Sequence, residues 1–384
     1  MSFSGKATYA GGSTLPEIAE DVSDLVTILS PAETPLLDVL GDSLYAATST
    51  RHEWLEDELL PNTDTINQSG ISDGSLNVTT ITMSHGDRFR VGDLIQAAAS
   101  KEVILVTAVS ANNLTITRGY GSTTKSQLTH QLLLTILGNA ALEGADAGSP
   151  RFSIRARKSN YTQIFSSALQ VSGSEAAVRQ INVDDEMDYQ KTNRLRELLR
   201  DLENTVINGV APDATLEGSS SVRRTLKGII AGLVTNAMTP GSGYIPSDDA
   251  LTEDHVNAAL RTIWEASGNK PDVILCGGAQ KRRINAFIQA TQRFAPGDER
   301  FKNLVSVYES DYGTCRVLLS RFVPADAMLF LDSTKIAVVP LAGRSFQYQS
   351  LAVTGDYVSG EMIGEYTLEL RCEKGQGVLR GLGL

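Results

Sequence analysis

The sequence predicts a mixed α+β chain in which a small β-barrel or sandwich is inserted into a larger domain. Three observations carry that expectation. One long amphipathic helix is written from Asp184 to about Asn208; short strands and helices alternate from Gly228 to Val339; and the stretch between Pro61 and Pro150 holds no proline and reads as short β runs. With 384 residues, the chain has room for roughly two to three folding units with their own cores.

Taken in order, residues 1–13 are rich in Gly and Ser without a hydrophobic period, an arm expected to stay disordered unless something holds it. Leu15, Ile18, Val22, Leu25, Val26 and Leu29 then recur at helical spacing, with Pro16 in the first turn and Pro31 as the stop. A short second helix, Thr34–Leu40, ends at Gly41, and Ser49–Leu60 reads as extended. Residues 67–147 supply the β unit. Leu76, Val78 and Thr80 alternate, Gly92-Asp93 turns into Leu94-Ile95, Val103–Val109 reads as a buried run, Asn112-Asn113 marks a hairpin, and Gln131–Leu137 closes the set. After Pro150, alternation from Arg151 to Phe165 puts Phe152, Ile154 and Ala156 on one face and Ser153, Arg155 and Arg157 on the other. A single strand of that length would extend about 50 Å, so it is expected to form, with Ser49–Leu60, a projecting two-stranded arm that carries the β unit near its tip.

The long helix follows. Asp184, Asp185, Glu186 and Asp188 open it and Arg194, Arg196 and Arg200 come later, an order that complements the helix dipole. Leu195, Leu198, Leu199, Leu202 and Val206 form its apolar stripe, and Gly209 stops it. Beyond it are an element at Gly228–Val234, a helix Glu253–Ala266 capped by Thr252, a strand Val273–Cys276 and a helix Ala279–Gln289. Strands Arg316–Leu319, Met328–Leu331 and Lys335–Val339 come next, and Met362–Cys372 is the main strand of a β-rich tail.

The formal charge of −11 is concentrated at one end: residues 1–65 hold twelve acids against Lys6 and Arg51. Glu53, Glu56, Asp57 and Glu58 lie in that segment, and a basic stretch containing Arg151, Arg155, Arg157 and Lys158 compensates them. Opposite charge of this kind is expected to pair within the hairpin or to register one copy against another. The acidic balance argues against a reader of nucleic acid, which needs clustered cations. No apolar run approaches a membrane span, and the N-terminus has no secretory signal, so synthesis in a reducing cytoplasm is expected. Cys276, Cys315 and Cys372 are scattered and read as small buried hydrophobes.

Motifs for chemistry are weak. His52-Glu53-Trp54-Leu55-Glu56 opens like a zinc helix but lacks the second histidine and sits in a strand. Gly277-Gly278 before Ala279 resembles a phosphate turn without its lysine signature, and a tight strand-to-helix turn accounts for both glycines. Gly375, Gly377 and Gly381 are wrongly spaced for a dinucleotide. His255, beside Glu253 and Asp254, is expected to be a solvated neighbour. Neither a catalytic residue nor a metal or cofactor is expected.

The order of parts, namely arm, charged hairpin, long helix, α/β domain and returning β tail, resembles the tailed-bacteriophage major capsid protein of the Hong Kong 97-type fold. The stretches SDLVTILSPAETPLLDVLG, HEWLEDEL, GDLI with EVILVTAVSANNLTITRGYG, and RELLRDLENTVINGV look like a subfamily with a β insertion in the hairpin, or E-loop, region. The resemblance covers essentially the whole chain. It implies an N-arm 1–48, an E-loop 49–66 and 148–172, an insertion 67–147, a P-domain 173–222 with 342–384 containing the spine helix 184–208, and an A-domain 223–341.

It also implies a non-enzymatic subunit that self-assembles as pentamers and hexamers into an icosahedral head around double-stranded DNA, built in the host cytoplasm. The implied partners are a portal protein, a separate scaffolding protein, a decoration or cement protein on an outward-facing insertion, and packaged DNA without sequence-specific contact; no membrane is involved. Residues 49–66 contain no lysine, leaving Lys158 as the sole candidate for a cross-link, so covalent chainmail is not expected. An encapsulin-like compartment and an unrecognised hydrolase on residues 223–341 are the alternatives. The insertion and the lack of a cargo groove count against the first, and the missing nucleophile–base pair against the second.

Overall fold

The computed structural model describes residues 33–69, 76–144, 146, 152–153, 155–177, 185–213, 215–291, 307–352 and 354–383. The expected first helix and Arg151 lie outside them. Two compact units emerge: one formed by the chain up to Trp54 and from Arg157 onward, the other by Leu55–Ala156.

The chain enters through helix α1 (Pro35–Leu40), where Pro35 takes the first turn and Gly41, at φ +66°, ends it. Strand β1 (Arg51–Glu56) follows and leads into the second unit. There β2 (Thr63–Thr65), β3 (Thr80–Thr82), β4 (Asp93–Ala97), β5 (Val103–Ser110), β6 (Asn113–Thr117) and β7 (Leu133–Asn139) form one sheet in the order β2-β7-β4-β5-β6-β3. An antiparallel bridge between Ile66 and Met83 joins its two ends, so the sheet closes on itself as a small barrel. The run Val103–Val109 is not buried throughout: Ile104 and Val106 are buried, Val109 packs partly buried against the same core, and the register shifts between Val106 and Ala108. A bulge of this kind bends a strand enough to round a closed sheet. Ile66, Ile81, Met83, Phe89, Ile95, Leu114, Leu128 and Leu134 fill the interior.

The β5–β6 turn sits against Gly86, whose amide donates to Asn112 Oδ1 at 2.9 Å; a Cβ there would fall 2.0 Å from the Ala111 carbonyl oxygen. Ala111 itself has φ +51°, the left-handed region. Ala111→Gly relieves that strain at some cost in unfolded-chain entropy, and is expected to stabilise the unit by up to about 1 kcal/mol. A rise in the urea midpoint with an unchanged slope checks it.

Strand β8 (Ala156–Tyr161) pairs with β1, and β9 (Gln163–Ser172) follows. This corrects the single long strand expected over Arg151–Phe165. Thr162 breaks it: its amide donates to the Thr50 carbonyl, its hydroxyl to Glu365 Oε1 (2.6 Å), and its carbonyl accepts from Arg224 Nε (2.7 Å). With those groups engaged, the chain leaves β1 and changes partner.

After a single turn, α2 (Gly173–Ala177), comes α3 (Glu186–Asn208). Its N-cap is Asp185, whose carboxylate accepts from the amides of Met187 and Asp188. Leu198, Leu202, Val206 and Ile207 are buried, while Leu195 and Leu199 are partly so. The stop at Gly209 is steric: a Cβ there would lie 2.5 Å from the Thr205 carbonyl, and one at Gly228 would lie 2.5 Å from the Gly209 amide. Only two glycines let these segments cross so closely.

The remaining elements are α4 (Ile229–Gly232), β10 (Ala237–Met238), α5 (Glu253–Ser267), β11 (Val273–Cys276), α6 (Gly278–Thr291), β12 (Val307–Ser310), β13 (Gly313–Leu319), β14 (Met328–Leu331), β15 (Ile336–Pro340), β16 (Gln347–Ser350), β17 (Tyr357–Leu370) and β18 (Gly377–Leu379). Strands β10-β18-β14-β11-β13-β12 make a six-stranded sheet. Fully buried β11 and β14 lie within it, which is why both read as unbroken apolar runs. Val273, Leu275, Leu329 and Leu331 share a core with Leu198, Leu202 and Val206 of α3. Ile274, Cys276, Met328 and Phe330 share another with Val256, Leu260 and Ile263 of α5. In a second sheet β17 is central: β9 pairs with Tyr357–Tyr366 of it over ten residues, and β16 and β15 pair in turn along it.

Candidate assembly surfaces

The opposite charges singled out in the sequence meet in part. Arg157 reaches Glu53 at 3.3 Å, Arg51 also holds Glu53 at 2.9 Å, and Arg155 lies 4.0 Å from Asp57, which accepts from the Ser153 hydroxyl at 2.9 Å. Glu56 is half-buried in β1, Glu58 is exposed with its amide donating to Asp57 Oδ1, and Lys158 is exposed in β8. Arg155 and Arg157 are 72% and 67% exposed, so each pair contributes little within one subunit, about 0–1 kcal/mol. Apolar side chains lie beside them in sequence: Leu55, Leu59 (90% exposed) and Phe152 (82%). Exposed large apolar groups in one segment mark a surface meant to be covered.

The hairpin is rooted by buried carboxylates that the sequence reading missed. Glu369 of β17 accepts from His52 Nε2 at 3.0 Å, from the Tyr45 hydroxyl and from Arg371 Nε. Burial alone would raise its pKa, but those three donors overcome it and hold the carboxyl at about 2. The Tyr45 phenol is pushed to about 12, by burial first and by Glu369 second. Glu365, two pairs along the strand, takes Arg224 at 2.5 Å and Arg344 at 2.9 Å. Asn160, also buried, donates to the carbonyls of Lys227 and Leu368. The available signal was periodicity: Glu365, Thr367 and Glu369 take every second position at the end of the strand, between Tyr366, Leu368 and Leu370.

A third buried carboxylate holds α1. Glu203 of α3 accepts from the amides of Leu36 (3.0 Å) and Leu37 (2.9 Å), the first turn of α1. Burial raises its pKa by more than those amides lower it. Arg321 lies 3.7 Å from Glu33 just ahead of the same helix.

The motifs weighed for chemistry have structural roles. His255 is buried, contrary to expectation; its Nε2 donates to the Asp248 carbonyl (2.7 Å) and Nδ1 faces the Thr252 hydroxyl (2.8 Å). Thr252 is the N-cap residue of α5, yet its side chain is engaged by that imidazole and caps no amide. Beyond Gly277-Gly278, the Lys281 ammonium donates to the Val317 carbonyl at 3.0 Å. Cys276 and Cys315 are buried and Cys372 is half-buried. Among the described residues, no group of three His, Cys, Asp or Glu side chains is placed to hold a metal, and no helix is long and apolar enough to cross a membrane.

The family model for the SU10 major capsid protein matches residues 4–383. The chain belongs to the SU10 major capsid protein family. Among solved structures, the fold is similar to that of the cyanophage A-1(L) capsid (TM-score 0.55, 13% identity, 96% of this chain and 98% of that one). It is also similar to the capsid of an empty GTA particle (0.54, 9%, 99% and 100%) and to Microbacterium phage Oxtober96 (0.51, 12%, 94% and 96%). No curated protein sequence matches. As a major capsid protein, the chain is a structural component of the virion and assembles with copies of itself into a shell. That role accounts for exposed apolar and charged side chains that one subunit leaves uncovered.

Proposed function

We propose that this major capsid protein builds an icosahedral head of pentamers and hexamers around double-stranded DNA, performs no catalysis, and assembles in the host cytoplasm. Residues 1–48 act as N-arm, 49–66 with 148–172 as E-loop, 67–147 as insertion, 173–222 with 342–384 as P-domain and 223–341 as A-domain. The observation that carries the reading is the hairpin segment itself, where solvated ion pairs adjoin exposed Leu59 and Phe152 in sequence. Such pairs add little to a lone subunit but set register when a second copy covers them. Portal, scaffolding and decoration proteins complete the head, and the acidic chain lets packaged DNA slide without sticking.

Reversing two charges tests the hairpin's part. Arg155→Glu with Arg157→Glu is expected to leave a soluble, folded subunit that forms no regular shells in negative-stain micrographs. Normal shells from the double variant would sink the assignment of these residues to a contact between copies. Electron microscopy of the unmodified protein after a sizing column tests the larger reading: closed shells or rings of five and six support it, and a compact monomer with its scaffold co-expressed contradicts it.

A further inference from the structure

Between α1 and β1 the chain crosses β15 as a short strap, residues 41–47. Ala47 fixes its far end: the Ala47 amide donates to the Pro340 carbonyl and the Ala47 carbonyl accepts from Ala342, both at 2.8 Å. The near end turns at Gly41. In the middle, the Ser43 hydroxyl donates to the Tyr45 carbonyl (2.9 Å), and the Tyr45 phenol is held by Glu369 and Arg371. On this pinned turn Leu44 is fully exposed. A leucine presented to water on a fixed backbone has little further backbone entropy to lose when it is buried, which is the state of a preorganised anchor.

Leu44 and Asp42 border a cavity of about 200 Å³ that is lined further by Leu40, Ile336 and Val338 and by the charged Lys335, Glu369 and Arg371. Cavities of roughly 150 Å³ accept a group as large as benzene, so an isobutyl side chain fits. Asp42 adjoins the leucine. Among the described residues, neither the Asp42 carboxylate nor the Lys335 ammonium has an ion pair or side-chain hydrogen bond within the subunit. An exposed leucine, an acid and a base thus surround one cavity.

We infer that this face is a two-fold contact between copies of the chain, in which Leu44 of each copy enters the other's cavity and Asp42 meets the other's Lys335. A patch holding both knob and hole is self-complementary, and a two-fold axis is the operation that satisfies both at once. The charges allow it, since the cavity that receives the leucine carries both an acid, Asp42, and a base, Lys335, for the other copy's base and acid. The inference rests on the self-assembling role proposed above.

Its test is a charge-swap series read by sedimentation and microscopy alongside unmodified shells, so that a failure of the unmodified protein to assemble condemns the larger reading and not this contact. Leu44→Asp is expected to weaken the contact about 30-fold, the scale of a lost hot spot, and to leave free capsomers with an unchanged subunit melting temperature; Leu44→Met should assemble. Asp42→Lys and Lys335→Asp should each impair assembly, and the two together should restore it. Shells from Leu44→Asp in normal yield, or a double swap no better than either single, would overturn the contact.

Discussion

Arg118→Ala is expected to destabilise the barrel unit strongly. Arg118 and Glu102 are both buried there, and the carboxylate accepts from Arg118 Nε and Nη2 at 2.7 Å each, from the Ser126 amide at 2.8 Å and from the Gly119 amide at 3.1 Å. Burial opposes the charge on Glu102, yet those donors hold its pKa below the ordinary carboxylate value. Removing the guanidinium strands the charge, a loss of about 3–5 kcal/mol. Domains of about a hundred residues are stable by only about 5–15 kcal/mol. Hydrogen exchange on the full chain is the readout: amides of β4–β7 should lose protection while those of β11 and β14 keep theirs. Glu102→Gln with Arg118→Met should regain part of it, because the buried charge is gone and the amide oxygen can still accept from the Ser126 or Gly119 amide. Unchanged protection in Arg118→Ala would show that the pair is dispensable.

The second large effect is acid sensitivity at the root of the hairpin. The folded pKa of Glu369 is depressed to about 2. A depressed carboxyl contributes stability that is complete above its unfolded value near 4.5 and is lost as pH falls toward 2. The contribution is on the order of 3 kcal/mol. Glu203 acts with the opposite sign: its raised pKa penalises the folded state above that pKa, and acid relieves the penalty. Melting temperature should therefore fall between about pH 4.5 and 2 in the natural protein, and fall less steeply in Glu369→Gln. Parallel slopes for the two proteins would remove Glu369 as the cause.

What the sequence told correctly was whatever local physics decides. The stripe of α3, the apolar runs of β11 and β14, and the α1 stop at Gly41 are read from spacing, burial and a left-handed glycine. The sequence set Glu53 and Asp57 in one group of acids against Arg155 and Arg157 in one group of bases, but which side chains meet, Glu53 with Arg157 and Asp57 with Arg155, only the structure shows. Thr162 was not legible either: alternation continues through it, and only its distant partners, Glu365 and Arg224, break the strand. The same holds for Glu203, which looks like one more solvated acid on a charged helix until α1, far off in sequence, docks against it. His255 failed for a related reason, since polarity at a helix start is the usual sign of exposure and its two partners here were an unremarkable carbonyl and hydroxyl.

The break at Thr162 has a mechanical side. Because β8 and β9 are one continuous chain, tension on the hairpin passes directly into β9, whose ten residues are laddered to β17. Hydrogen bonds in an antiparallel ladder lie perpendicular to the strands, so a pull along β9 loads all of them together in shear and cannot peel them one at a time. Under such a pull this joint shares the load widely, and the first yielding is expected in the short, solvated pairing of β1 with β8.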